Sequence, residues 1–140
     1  MVLSRTLLLA AVLLSITVAG ADEKTTGKEL LTQRCLICHG TQQTAENRLA
    51  PPIVAVKQRY LKQYPDRDSF INAITQWVKA PSEDRSLMQG ALRKFGLMPT
   101  LSYADNDVAA IAKYIYEVSM DKPAGFDEHQ ETERGKNKPE

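Results

Sequence analysis

RCLICHG, residues 34–40, contains both cysteines of the 140-residue chain and one of its two histidines. Cys35 and Cys38 are separated by two residues, and His39 follows immediately. On a helix, residues three and four positions apart lie on the same face. The spacing therefore predicts two thiols that face one site, with an imidazole beside them.

This Cys-x-x-Cys-His pattern is typical of covalent haem attachment. Two thiols at this spacing can reach the two vinyl groups on one edge of a porphyrin and form thioether bonds. The imidazole of the next residue then binds the iron as the proximal axial ligand. We expect haem c, bound covalently through Cys35 and Cys38, with His39 on the iron.

Three other kinds of site use paired cysteines. A thioredoxin-like redox pair follows a strand in a βαβ unit, and the sequence contains no such pattern. A structural disulfide would leave His39 without a role. A zinc site needs about four ligands, and His129 is the one remaining histidine, so carboxylates would have to complete the set. Haem attachment is favoured because it uses every residue of the motif.

The first 21 residues have the pattern of a cleaved signal peptide. Arg5 supplies a positive charge, residues 7–18 form an almost unbroken apolar run, and residues 19–21 read Ala-Gly-Ala. The apolar run is shorter than the roughly 20 residues that span a bilayer. We expect a soluble, periplasmic protein whose mature chain begins at Asp22 and has no membrane span after cleavage.

Size and charge limit the possible functions of the mature chain. Cleavage leaves 140 − 21 = 119 residues, which is the size of one domain. The net charge is near zero, which disfavours a general affinity for nucleic acid. Residues 48–94 contain nine basic and four acidic side chains, whereas residues 105–140 contain nine acidic and five basic ones. A basic middle and an acidic tail are indicated.

Helical spacing of apolar residues predicts an all-α domain at residues 22–121. Helices are expected from Thr26 into the cysteine motif, and over about 51–64, 66–81, 86–95 and 105–118. Ser102 and Asp105 have the spacing of a capping box before the last helix, and Asp66 or Asp68 can cap the third. Residues 122–140 are polar and charged, and we predict a flexible tail.

A methionine is the expected ligand on the other side of the iron. Thioether sulfur favours Fe(II) and raises the reduction potential. Met98 lies in a loop bounded by Gly96 and Pro99, whereas Met88 falls on a predicted helix, where methionine usually fills the core. We therefore predict Met98 as the second axial ligand. If Met98 only packs, the iron is five-coordinate and open to small ligands.

The chain resembles class I c-type cytochromes from Gly27 to Val118. Gly27 and Leu31 stand eight and four residues before the first cysteine, and Ile-x-x-Tyr-Ile follows at residues 111–115. The resemblance implies that these two helices cross closely, with a small residue at the contact.

Two further stretches are similar to motifs of the same family. Residues 50–53, Ala-Pro-x-Ile, resemble a Gly-Pro-x-Leu turn, which implies that the Pro51 carbonyl accepts a hydrogen bond from the proximal histidine. Residues 74–81 resemble a helix that brings an aromatic residue to the haem, which implies contact with Trp77. Met98-Pro99 matches the ligand loop. Alanine replaces the usual glycine at position 50, and Trp77 stands where tyrosine is common.

These features predict a cytochrome c fold of about four to five helices around one covalently bound haem. We expect a one-electron carrier with His39 and Met98 on the iron, not an enzyme. Its partners would be a redox donor and acceptor with acidic docking surfaces, met in transient complexes. The alternatives are a haem subunit of a periplasmic dehydrogenase or oxidase, and a five-coordinate haem protein that binds small ligands or reacts with peroxide.

Overall fold

The computed structural model describes residues 23–136 except 43 and 45, so the predicted signal peptide, residues 1–21, lies outside the described residues. No strand occurs in the described part of the chain, which confirms the all-α prediction. The elements are α1 Glu23–Arg34, α2 Leu36–His39, α3 Ile53–Gln63, α4 Arg67–Lys79, α5 Gln89–Phe95, α6 Asp105–Glu117 and α7 Phe126–Lys136, with a 3-10 turn at Glu83–Arg85. Five of these match the predicted helices, while α2 continues α1 and α7 lies in the tail. Over the described ranges, no helix is both long and apolar enough to cross a bilayer.

Helix α6 is the centre of the packing and contacts α1, α3 and α4. Phe70 of α4 is completely buried, and its ring meets that of Tyr60 edge-on at 6.3 Å between centroids. The ring of Tyr116 lies 5.5 Å from Phe70 on the α6 side. Burial of these apolar groups is the main force that holds the helices together. The buried cluster is Leu31, Ile53, Tyr60, Phe70, Ile74, Ile111, Ala112 and Ile115.

Helices α1 and α6 approach each other most closely at Gly27, which is buried. A Cβ atom at this position would lie 2.5 Å from the carbonyl oxygen of Ala110 and 2.8 Å from Cβ of Tyr114. Both distances are far shorter than a van der Waals contact, so only glycine allows the backbones to come this close. The close crossing that the resemblance implied is present, and it fixes the direction in which α1 enters the cysteine motif.

The two predicted N-terminal caps have different outcomes. The carboxylate of Asp66 accepts a hydrogen bond from the Ser69 backbone N–H at 2.9 Å, so Asp66 rather than Asp68 caps α4. The capping box at Ser102 and Asp105 was wrong, because Ala104 is the N-cap of α6 and makes no side-chain cap bond. Asp105 is the first residue of the helix, and its carboxylate pairs instead with Nζ of Lys79 at 2.7 Å.

Helix α5 begins later than the sequence predicted. It runs from Gln89 instead of Ser86, and Met88 is its N-cap, with φ −121°. The helix ends at Gly96, whose φ of 77° is in the left-handed region that favours glycine and whose N–H bonds to the Leu92 carbonyl. The chain then continues without regular structure to Ala104. Met98 therefore lies in a loop, as predicted, but Met88 does not lie within a helix.

The segment after Lys122, for which we predicted a flexible tail, contains α7 in its described part. Phe126 at its start is only 7% exposed, and Pro123 is also buried. The amide of Gln130 donates to the side-chain oxygen of Gln58 in α3 at 2.9 Å. The described part of this segment thus contains a helix whose first residue is buried, which the sequence pattern did not predict, while the flexibility of the tail stays a prediction.

Candidate functional site

A cavity of about 340 Å³ lies between the cysteine motif, α3, α4 and the segment from residue 86 to residue 103. This volume is within the range of about 300–1,000 Å³ that is typical of ligand and cofactor pockets. Most of its wall is apolar, and core residues such as Tyr60, Ile74 and Ile111 form its floor. A large flat apolar group would therefore complete the core of this domain.

Cys35, Cys38 and His39 all line this cavity. The chain stays close to helical where α1 passes through Cys35 into α2, because the Cys35 carbonyl accepts from the N–H groups of both Cys38 and His39, at 3.1 and 2.9 Å. This turn brings the three side chains to one wall. Cys38 is exposed and marks the open edge of the cavity, whereas Cys35 and His39 are partly buried.

The orientation of the His39 ring is set by Pro51. Nδ1 of His39 lies 2.7 Å from the Pro51 carbonyl oxygen, which is the contact that the resemblance implied. Because a carbonyl can only accept, Nδ1 carries the proton and Nε2 keeps its lone pair. Burial lowers the pKa of His39, although the bond to Pro51 acts in the opposite direction. The imidazole is therefore neutral at pH 7, in the form that binds a metal.

Cys35 lacks the lowered pKa that a catalytic redox thiol needs. Burial raises the pKa of Cys35 to about 11, and the nearby charge of Arg34 offsets this only in part. Thiol–disulfide catalysts need a lowered pKa, because the thiolate is the attacking species. Cys35 and Cys38 are both free thiols. No group of three or more potential metal-binding His, Cys, Asp or Glu side chains occurs in the part of the chain that the structure describes.

The other predicted site residues lie on the remaining walls. Trp77 of α4 and Met98 of the loop both line the cavity. Met88 also lines it, from the N-terminal end of α5, and is only partly buried. Met98 was preferred partly because Met88 was expected to lie within a helix. That reason does not hold, because Met88 is the N-cap of α5 and lies outside the helix. The loop between Gly96 and Pro99 remains the feature that favours Met98.

Arg34 and Tyr103 also line the cavity, although neither was predicted as a site residue. Nη1 of Arg34 pairs with Oδ2 of Asp107 at 2.6 Å, and its guanidinium carbon lies 5.0 Å from the centroid of the Tyr103 ring. A sequence signal for Arg34 existed, because a residue directly before the first cysteine must lie near the cavity. Tyr103 had no such signal, because its place depends on the path of the loop.

Several basic side chains of the stretch from residue 48 to residue 94 are used inside the molecule. Nζ of Lys57 donates to the carbonyls of Tyr116 and Val118, at 2.9 and 2.6 Å, where α6 ends. Nε of Arg59 donates to the Leu87 carbonyl at 2.6 Å. These contacts show that the basic charge of this stretch has structural roles in addition to any surface role.

Comparison with known proteins identifies related sequences. The family model described as cytochrome c matches residues 25–119, which is more than half of the chain. An uncharacterized protein from Aquifex aeolicus (strain VF5) is 28% identical over 129 residues, covering 78% of this chain and 85% of that protein. No solved structure gives a significant match. The matched region includes the cysteine motif, the Pro51 turn and the loop that carries Met98.

Proposed function

Because the chain belongs to the cytochrome c family, we propose that it is an exported monohaem electron carrier whose iron is held between His39 and Met98. Family membership implies haem c and electron transfer in general. The observation that carries the specific proposal is the placement of Cys35, Cys38 and His39 on one cavity wall, with His39 Nδ1 2.7 Å from the Pro51 carbonyl.

The residues of this chain divide the work of holding the cofactor. Cys35 and Cys38 would form the thioether bonds, and the partly buried His39 would present Nε2 to the iron. Pro51 keeps the imidazole in one tautomer and one orientation. The haem iron supplies the one-electron change between Fe(III) and Fe(II). The apolar walls exclude water from most of the cavity, and this raises the cost of the extra charge on the oxidised form.

Met98 is the proposed second axial ligand. It lines the same cavity as His39 and belongs to a loop that begins at Gly96, with φ 77°, and includes Pro99. A loop of this kind can direct one side chain inward without breaking a helix. Met88 lines the cavity as well and is the natural comparison residue, because both side chains carry the same thioether.

Substitution of each methionine tests the ligand assignment. We expect Met98→Ala to abolish the near-infrared band of methionine bound to ferric iron and to let CO bind the ferrous protein rapidly. Met88→Ala should leave the band and the slow reaction with CO unchanged. A wild-type protein that binds CO readily would contradict six-coordinate iron. If the band is lost in Met88→Ala and kept in Met98→Ala, the axial ligand is Met88 and not Met98.

The proposed partners are a redox donor and a redox acceptor with acidic docking surfaces. Arg93 and Lys94 are exposed on α5, and the next residue, Phe95, lines the cavity. Positive charge close to the edge of the cofactor would speed the encounter with an acidic partner without requiring tight binding. Export to the periplasm is proposed from the pattern of residues 1–21.

A further inference from the structure

The side chain of Arg34 joins three separate parts of the chain. Arg34 is the last residue of α1 and directly precedes the first cysteine of the motif. Its guanidinium pairs with Asp107, in the first turn of α6, at 2.6 Å. It also lies over the ring of Tyr103, in the loop 96–104, at 5.0 Å from the ring centroid. We call these three residues the Arg34 cluster.

The geometry of the Arg34 cluster suits an arginine. A planar guanidinium can donate to a carboxylate at its edge and stack on an aromatic ring with its face at the same time. The side chains of Arg34 and Asp107 are 28% and 37% exposed, so solvent screens their pairing less than that of a fully exposed pair. A cation within about 6 Å of a ring centroid is attracted to the ring. Asp107 therefore holds the guanidinium where Tyr103 can pack on it.

This contact acts on the loop that carries Met98. The loop leaves α5 at Gly96, and Tyr103 lies five residues after Met98, next to the start of α6. The Tyr103 N–H bonds to the Leu101 carbonyl at 3.0 Å, which closes a tight turn of the backbone just before α6. Tyr103, Leu101 and Met98 all line the cavity. Contact with Arg34 thus fixes the far end of the loop to the helix that enters the cysteine motif.

We propose that Arg34 is a positioning residue that keeps the loop 96–104 closed over the cavity and so keeps Met98 on the iron. This inference rests on the proposed function, because it requires Met98 as the axial ligand. Arg34 is not itself a proposed ligand. Its side chain links the wall that carries Cys35, Cys38 and His39 to the loop that carries Met98.

Displacement of Met98 by imidazole measures how readily the loop opens. In the full-length matured haem protein, Arg34→Gln should keep the near-infrared methionine band at rest. Imidazole should replace the methionine at concentrations about fivefold lower than in the wild type, a factor in the range that one cation–π contact contributes. The rate of imidazole binding should rise by a similar factor, because loop opening precedes entry of the ligand.

Four further variants separate positioning from general stability. Tyr103→Leu should give the same shift as Arg34→Gln, and the double variant should go no further than either, because the Arg34–Tyr103 contact is already lost in each single variant. Tyr103→Phe keeps the ring and should behave as the wild type. Lys79→Gln removes the Lys79–Asp105 pair of 2.7 Å, also in the first turn of α6. It should leave imidazole affinity unchanged, since Lys79 is outside the cavity wall.

An unchanged imidazole affinity in both Arg34→Gln and Tyr103→Leu would overturn the proposal, whatever their stability to unfolding. Equal shifts in Lys79→Gln would also overturn it, because the effect would then be a general loosening of α6. If Arg34→Gln does not mature, Tyr103→Leu decides alone, since it lies outside the attachment motif. A wild type without the methionine band would instead refute the proposed function.

Discussion

At the scale of single residues, the proposed site depends on one imidazole that is partly buried and oriented. The freedom of the His39 ring is limited, because the Pro51 carbonyl oxygen lies 2.7 Å from Nδ1 and the ring lines the cavity. Desolvation lowers the pKa of His39, so the ring is neutral at pH 7, in the form that binds a metal. Pro51 performs this role through its backbone, so the turn geometry and not the side chain is essential.

The residues of the cysteine motif could be predicted because their chemistry is local in the chain. Spacing alone places Cys35, Cys38 and His39 on one wall. The choice between Met98 and Met88 was not local, because it depended on where α5 begins. Helix ends are set by competition between several nearby caps, and here Met88 became the N-cap although no side-chain bond holds it there.

Asp66 gives a pH-dependent prediction at this scale. The backbone N–H of Ser69 holds the pKa of Asp66 below its ordinary value of 3.8. Its charged form therefore stabilises the folded state above about pH 4, and this contribution is lost as the pH falls through the lowered folded-state pKa. Asp66→Asn keeps a capping oxygen but does not titrate.

Urea unfolding of the wild type and of Asp66→Asn at about pH 6 and about pH 2 checks this prediction. We expect the wild type to be more stable than the variant at the higher pH and the difference to shrink at the lower pH. Any effect of acid on the haem site is common to both proteins and cancels. A difference that does not depend on pH would show that the charge at Asp66 plays no part.

At the scale of elements, the crossing of α1 and α6 positions the whole attachment segment. Gly27 sets how close the two helices come at one end of the crossing, and the Arg34–Asp107 pair joins them at the other. The sequence pattern around Gly27 predicted this crossing through the family resemblance. Periodicity alone could not have done so, because it identifies the buried face of a helix but not its neighbour.

Gly27→Ala is expected to destabilise the protein. Its Cβ would lie 2.5 Å from the Ala110 carbonyl oxygen, which is backbone of α6 and cannot move aside without shifting the helix. Overpacking of this kind costs about 1–3 kcal/mol. The free energy of unfolding from denaturant titration measures the effect.

Gly90→Ala is the matched control. Gly90 lies in α5, and the nearest atom to a Cβ placed there is 4.0 Å away, at the end of the Arg93 side chain. Alanine in a helix is favoured over glycine by about 0.5–1 kcal/mol, so this variant should be slightly more stable than the wild type. If Gly27→Ala were equally well tolerated, α1 and α6 would not be packed at this distance.

Helix α7 shows where element prediction fails. The segment is dominated by charged residues, and among those whose burial the structure describes, Phe126 and Pro123 are the buried ones. One aromatic side chain produces no periodic pattern, so the local sequence was typical of a flexible tail. Its packing depends on a surface of the domain, including Gln58 of α3, that exists only after the rest of the chain has folded.

At the scale of the whole molecule, the fold is built around the cavity. The residues that line the cavity and those that form the buried cluster are partly the same, among them Tyr60, Ile74 and Ile111. A domain of this size has few other apolar residues to bury. The haem c that the family implies would complete the hydrophobic core and would also supply the redox chemistry, so the confirmed all-α class and the proposed site depend on the same apolar residues.

At this scale, the charge pattern of the sequence is a count of residues and does not describe a surface. Lys57 and Arg59 lie in the basic stretch and bond to backbone carbonyls, while Lys79 pairs with Asp105 of the acidic half. Some of the basic side chains in residues 48–94 therefore join α3 and α4 to α6. A sequence count cannot separate such internal pairs from charges that face a partner.

The most direct test of the central claim is the intact mass of the matured, exported protein after extraction with acid acetone. Covalent attachment through Cys35 and Cys38 predicts that the chain keeps the mass of one haem, whereas Cys35→Ala/Cys38→Ala loses it. A wild-type chain that appears at the mass of the bare polypeptide would contradict covalent attachment, and with it the account of this protein as a c-type electron carrier.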